Sequence, residues 1–412
     1  MIRFDRFTLD NGLRVIVHND PASNIVAINT LYDVGARDED PEKTGFAHLF
    51  EHLMFGGSVN IPDFDGPLQR VGGDSNAYTT NDVTNYYITV PRSNIETGFW
   101  LESDRMMSLA FSERSLEVQR SVVIEEFKQR YLNQPYGDVW FLMRDLMYKV
   151  HPYRWATIGK EIAHIEDATL DDVRNFFYKH YRSNKAILVV VGNVTIEEVK
   201  RLAEKWYGPI PAGDAPKRNL PQEPKQTEAR MLEVHRPVPV TGFFETYHMM
   251  ERGHERYPAT DLISDVLSRG KSSRLHAELV KNRRLFSEIG AYVAGSLDPG
   301  YLVVTGKLAN GANMEEAQAA VREQLERMRT ELVTEQELEK SLNKIEASIV
   351  FSEVGVLEKA MNLAYNELVG DANLINTEVE RYRAVTPEDI QQMAREIIVP
   401  ENRNTLHYYA EQ

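Results

Sequence analysis

The chain has no cysteine in 412 residues, which excludes disulfides and every thiolate-based metal, redox or nucleophilic site. It also has no apolar run near the roughly 18 residues that a membrane-crossing helix needs. The opening stretch MIRFDRFTLDNGLRV lacks a basic start followed by an apolar segment, so no secretory signal is visible and cytoplasmic residence is expected, although a processed mature form would read the same way. Positive charge is scarce: 47 Lys plus Arg face 62 Asp plus Glu, for a formal net charge of −15. Such a balance argues against a nucleic-acid partner, because counterion displacement requires basic patches. What the chain does have is bulk. At 42% hydrophobic and 26% charged residues, it can build the cores of two or more soluble domains.

The most informative segment is FAHLFEHLMFGG. His48 and His52 are spaced i, i+4, one helical turn apart, and Glu51 at i+3 leans over the same face. Two imidazoles so arranged can share one ion while the carboxylate stands over an open coordination position, the inverted form of the zinc-peptidase signature. Phe46, Leu49, Phe50 and Leu53 form an apolar stripe on the opposite side; Thr44 is the expected start cap, and Gly56 and Gly57 the stop. Two histidines leave the site one ligand short, since catalytic zinc usually takes three protein ligands plus water. Without cysteine, the third is a carboxylate or another His.

A second helix is expected over ERSLEVQRSVVIEEFKQRYL, residues 113–132. Leu116, Gln119, Val123, Glu126 and Phe127 fall on one face at 3.6 periodicity, whereas Glu125 is rotated about 100° away. An inward carboxylate is costly unless paired or metal-bound, which makes Glu126 the better ligand candidate. The plain alternative is a solvated Glu on a ragged stripe.

Taken together, His48-Leu49-Phe50-Glu51-His52, Glu126 in RSVVIEEF, the segment GGDSNAYTTNDVTNYYITVP at 72–91, HPYRWATIGKEI at 151–162 and NKAILVVVGNV at 184–194 resemble the inverzincin superfamily. That superfamily includes pitrilysin, insulin-degrading enzyme and mitochondrial processing peptidase, and the chain looks like a short, bacterial-type member. The resemblance implies an α+β protein of two similar halves, each an antiparallel sheet flanked by helices, together forming a clamshell. It implies one Zn2+ per chain on His48, His52 and Glu126, with Glu51 as general base in a metalloendopeptidase acting on peptides or unfolded segments. It implies that the strand carrying Asn76, Ala77 and Tyr78 pairs with the substrate backbone; read alone, this strand and Tyr86, Ile88 and Val90 after a turn near Asn81 and Asp82 make an ordinary hairpin. Where many members carry a further Glu, this chain has Gln119, which can serve only as a hydrogen-bonding group behind the ligands.

The Pro-rich stretch GPIPAGDAPKRNLPQEPKQTE at 208–228 reads as a boundary. The expected division is a metal-binding domain at 1–210, a linker at 211–228 and a homologous domain without metal ligands at 229–412. In the second half, DLISDVLSRGKSSRL at 261–275 echoes the metal helix and sets Leu262, Asp265 and Val266 opposite His48, Glu51 and His52. Members of the superfamily often carry an Arg and, seven residues later, a Tyr that bind substrate; aligned on ELVKNRRLFSEIGAYV, those places hold Val280 and Ser287. Either Arg283, Arg284 or Tyr292 takes over, or a second homologous subunit supplies the pair. The expected function is therefore the catalytic subunit of a heterodimer, with a homodimer as the other arrangement. A non-catalytic structural subunit of a larger complex and a peptidase trimming one dedicated precursor are the alternatives.

Overall fold

The protein's structure, a computed structural model, describes residues 1–214 and 218–411. Residues 215–217 of the expected linker lie outside the described residues. Two compact units emerge: Met1–Arg130 with His151–Pro221 and Val350–Thr377, and Tyr131–Val150 with Gln222–Ile349 and Glu378–Gln412. A division at the linker alone would keep 131–150 with the first half and 350–377 with the second; the compact units trade these segments. No helix among the described residues is long and apolar enough to cross a membrane.

The first unit is built on a six-stranded sheet of β1 (Asp5–Thr8), β2 (Arg14–Asn19), β3 (Ile25–Tyr32), β4 (Asp74–Thr79), β5 (Thr84–Pro91) and β6 (Ala186–Gly192), in the order β1-β2-β6-β3-β5-β4. All pairs are antiparallel except β2 with β6. In the chain, α1 (Phe46–Leu53) falls between β3 and β4, α2 (Glu113–Phe127) follows β5, and α3 (Val139–Met147) comes next but belongs to the second unit. AILVVVG of β6 is buried at every position, as expected of a strand covered on both faces. One cover is the helix within Val350–Thr377, whose Ala360, Leu363 and Ala364, spaced i, i+3, i+4, pack on Ile187, Val189, Val191, Ala27 and Leu31. β4 lies at the sheet's end and, among the described residues, pairs only with β5, from Asp74 opposite Thr89 to Thr79 opposite Thr84. The turn closes by Thr80 N–H donating to Val83 O at 2.8 Å, and Tyr86, Ile88 and Val90 are buried, in the expected period of two.

The second unit repeats the plan. Its sheet contains β7 (Arg230–Arg236), β8 (Gly242–His248), β9 (Phe286–Ala294), β10 (Tyr301–Leu308) and β11 (Arg403–Ala410), ordered β7-β11-β8-β10-β9. Again one pair, β7 with β11, is parallel and the rest are antiparallel. Aligning β7, β11, β8, β10 and β9 with β2, β6, β3, β5 and β4 matches every pairing sense. The helix between β8 and β9, α4 (Tyr257–Ser268), then holds the place of α1, and it buries Leu262, Asp265 and Val266, the residues that the sequence register sets opposite His48, Glu51 and His52. Asp265 is ion-paired to Arg269 at 3.1 Å, and burial still raises its carboxyl to about 6. The helix α5 (Val356–Val369), which caps β6 in the first unit, and α3, which packs on β11 and β7 in the second, are the two traded helices.

Candidate metal centre

α1 has only eight residues, too few to be stable as an isolated helix. Tertiary burial holds it: Phe46, Ala47, Leu49, Phe50 and Leu53 are all buried, each large apolar side chain contributing about 1.5–3 kcal/mol. Phe50 anchors the stripe in an aromatic stack with Phe176, Phe177 and Tyr181 at centroid distances of 5.1, 6.2 and 5.1 Å.

The expected cap is corrected. Gly45 is the cap residue, with φ of 89°, a left-handed conformation that favours glycine. Glu39 instead accepts the N–H groups of Gly45 at 2.9 Å and Ala47 at 2.8 Å. Thr44 is otherwise engaged: its hydroxyl accepts from Lys160 N–H at 2.8 Å and meets His164 Nδ1 at 2.8 Å. Burial pushes the Glu39 carboxyl up to about 8, against the two backbone donors that favour its charged form. At the other end, Gly56 N–H returns to Leu53 O at 3.0 Å and Gly57 takes φ of 92°, as expected of a glycine stop.

α2 starts with Ser112 and Ser115 in a reciprocal capping box and buries Leu116, Val123 and Phe127. That stripe turns Glu126 inward. Glu125 is exposed and accepts from Gln129 at 3.1 Å, so the separation of the two glutamates follows the helical rotation.

The structure brings His48, His52 and Glu126 together. Their ligand atoms lie within 4.8 Å of one another, and no other such group of three exists among the described residues. Oε2 of Glu126 is 3.6 Å from Nε2 of His48 and 3.5 Å from Nε2 of His52. These separations are long for hydrogen bonds. They suit atoms sharing one tetrahedral ion, where ligands bound at about 2.0–2.1 Å sit roughly 3.3–3.4 Å apart. Burial, with the neighbouring His52 and Arg130 charges, drives the His48 imidazole down to about 3, so it is neutral and able to donate a lone pair. Its Nδ1 is buried without a hydrogen-bond partner among the described residues. The other oxygen of Glu126 pairs with Arg130 at 2.8 Å, which leaves Oε2 turned to the imidazoles. Two histidines and a carboxylate are a borderline donor set that zinc accepts well.

Glu51 stands on the same face of α1. Thr79, the last residue of β4, donates its hydroxyl to Glu51 Oε2 at 2.5 Å. Burial nevertheless raises the Glu51 carboxyl above its ordinary range, the Thr79 bond and His52 opposing that rise. Asn76, Ala77 and Tyr78 precede Thr79 on the same edge strand. Gln119 lies two turns before Glu126, about 10.5 Å along the helix, and makes no hydrogen bond to the three ligand candidates among the described residues.

Three further residues, Thr79, Arg130 and Glu39, contact the site or its helix without having been singled out from the sequence. Thr79 was signalled by its period-two relation to Ala77, and Arg130 by its i+4 spacing from Glu126. Glu39 had no local signal, because it reaches the helix start from outside any capping-box spacing.

In the second unit, Val280 is half-buried against the core, and Ser287 donates to Lys307 O at 3.1 Å. Arg283 is tied to Glu278 at 2.7 Å and Glu323 at 2.8 Å, while Tyr292 packs edge-on to Trp140 at 6.4 Å.

Residues 14–140 match the family model described as Insulinase (Peptidase family M16), and residues 167–345 match that described as Peptidase M16 inactive domain. The zinc protease PqqE of Helicobacter pylori (strain ATCC 700392 / 26695) is 33% identical over 345 residues, covering 82% of this chain and 77% of the relative. The mitochondrial-processing peptidase subunit beta of Caenorhabditis elegans is 26% identical over 226 residues, 54% of this chain and 48% of its own length. A solved protease from Helicobacter pylori superposes with a TM-score of 0.93 at 28% identity, covering 99% of this chain and 100% of its own.

Proposed function

Because this chain belongs to the insulinase family of metallopeptidases, peptidase family M16, we propose that it cleaves peptides or unfolded segments with Glu51 as general base and one zinc ion held by His48, His52 and Glu126. It is a metalloendopeptidase; the proposal concerns which residues do the work and on what. The observation that carries it is the convergence of two imidazoles and one carboxylate oxygen within 4.8 Å, beside a second, half-buried carboxylate. When bound, zinc supplies a Lewis acid for the scissile carbonyl and lowers the pKa of a coordinated water toward neutrality. Glu51 would take a proton from the attacking water and return it to the leaving amine. No covalent intermediate is required.

The substrate is an extended peptide that adds to the outer edge of β4 along Asn76, Ala77 and Tyr78. Main-chain pairing of this kind reads the backbone and leaves side chains to pockets, which fits broad tolerance of sequence. A second homologous subunit supplies the substrate-binding Arg and Tyr. Val280 and Ser287 can provide neither a cation nor a phenol, and the nearby Arg283 is committed to two glutamates; a homodimer is the other arrangement.

Glu51→Gln tests the base. The variant is expected to bind zinc at the wild-type stoichiometry and lose cleavage of an unstructured peptide by at least about 100-fold. Unchanged turnover in the zinc-loaded variant would remove Glu51 from its role. Assay of the isolated chain with and without a similar-sized homologue carrying Arg and Tyr tests the partner, and full activity of the isolated chain contradicts it.

A further inference from the structure

We propose that Thr79 is a positioning residue for Glu51, fixing the carboxylate so that one oxygen is anchored and the other is presented to the water. The inference rests on the reading of Glu51 as base. Glutamate has three side-chain torsions, and a base that samples many orientations spends little time in a productive one. Along β4, side chains alternate between faces. Thr79 and Ala77 therefore share one face, and the hydrogen bond to Glu51 identifies it as the face toward α1. The hydroxyl carries a single proton, and that proton goes to Glu51 Oε2 at 2.5 Å. Oε1 is thereby the oxygen left to accept a proton.

The anchor's location gives it a second consequence. Thr79 is the terminal residue of the edge strand, whose inner side is fixed by its register with β5. A peptide that pairs with the outer side of β4 is held by the same six-residue segment that holds the base. Substrate and base are then positioned by one rigid element, so the distance between scissile bond and carboxylate does not depend on the mobility of an independent loop.

The test compares zinc-loaded Thr79→Val, Thr79→Ser and Glu51→Gln in the full chain with an internally quenched unstructured peptide. Val is close in size to Thr and lacks the proton; Ser restores the proton without the methyl group. Thr79→Val is expected to keep zinc stoichiometry and KM within about twofold while kcat falls roughly 10- to 100-fold, and Thr79→Ser to recover most of that loss. A purely structural role would move zinc content or KM in step with kcat and would not be rescued by Ser. Wild-type kcat in Thr79→Val, alongside an inactive Glu51→Gln, overturns the positioning role while leaving the base intact; an active Glu51→Gln overturns the base itself. A crystal structure of zinc-loaded Thr79→Val gives a readout independent of turnover. Glu51 in several orientations supports the proposal, and Glu51 ordered as in the wild type contradicts it.

Discussion

Replacing Glu39 by Ala tests how the helix that carries both histidines is held. The Glu39 carboxyl group accepts two N–H groups at the start of α1, from Gly45 at 2.9 Å and Ala47 at 2.8 Å, in a buried setting. Each buried donor left without an acceptor costs about 1–3 kcal/mol. Two such donors, on a helix too short to persist alone, give an expected loss of about 3 kcal/mol. In a unit of this size 1 kcal/mol corresponds to about 2–4 °C, so the midpoint should fall by roughly 6–12 °C in scanning calorimetry at pH 6. Glu39→Gln keeps one oxygen and should lose about half as much.

The pH dependence has a definite sign. Burial holds the folded-state Glu39 at about 8 against an ordinary 4.5, so between these values the folded chain binds the proton and the unfolded chain does not. Its contribution is fully present below about pH 4.5 and is lost as pH rises through 8, at a slope of up to about 1.4 kcal/mol per unit. The stability of wild type relative to Glu39→Gln should therefore shrink from pH 5 to pH 8. A Glu39→Ala midpoint within about 2 °C of wild type, or a difference that grows with pH, would contradict a helix start held by a protonated Glu39.

Gly45→Ala places a side chain on a residue with φ of 89°, where its Cβ would meet Ile158 O at 2.7 Å and Ile165 Cδ1 at 2.8 Å; backbone strain and overpacking together should cost roughly 2–4 kcal/mol in a denaturant titration. His52→Ala and Glu126→Gln each remove a ligand candidate and should weaken zinc binding by more than about 100-fold in chelator competition, with the fold retained by circular dichroism. For the pH–rate profile of the zinc-loaded chain, kcat/KM should fall on the acid side as the base is protonated; a profile without an acid limb contradicts the base assignment.

The shared face of His48, Glu51 and His52 was legible in the sequence because it is a local property of one helical turn, and the same 3.6 periodicity separated Glu126 from Glu125. The β4–β5 hairpin was legible for a similar reason, through alternation at Tyr86, Ile88 and Val90. Less accessible was which sheet a helix covers. Ala360, Leu363 and Ala364 announce a helix with one small apolar face, but nothing local says that the face belongs on Ile187, Val189 and Val191 of the first unit. The same holds for α3. The parallel pairs β2–β6 and β7–β11 join strands distant in sequence, so their sense is set by the chain's long path. Glu39 was hidden likewise, since a carboxylate capping a helix from outside it leaves no mark at the cap itself. Thr44, a good capping residue by type, was drawn instead into bonds with Lys160 and His164.

The most direct measurement is anomalous diffraction at the zinc edge from crystals of the zinc-loaded chain. One strong peak is expected about 2.0–2.2 Å from a ring nitrogen of His48, a ring nitrogen of His52 and a carboxylate oxygen of Glu126. A peak bound elsewhere, or none near these three groups while all three are ordered, would contradict a zinc ion shared by them.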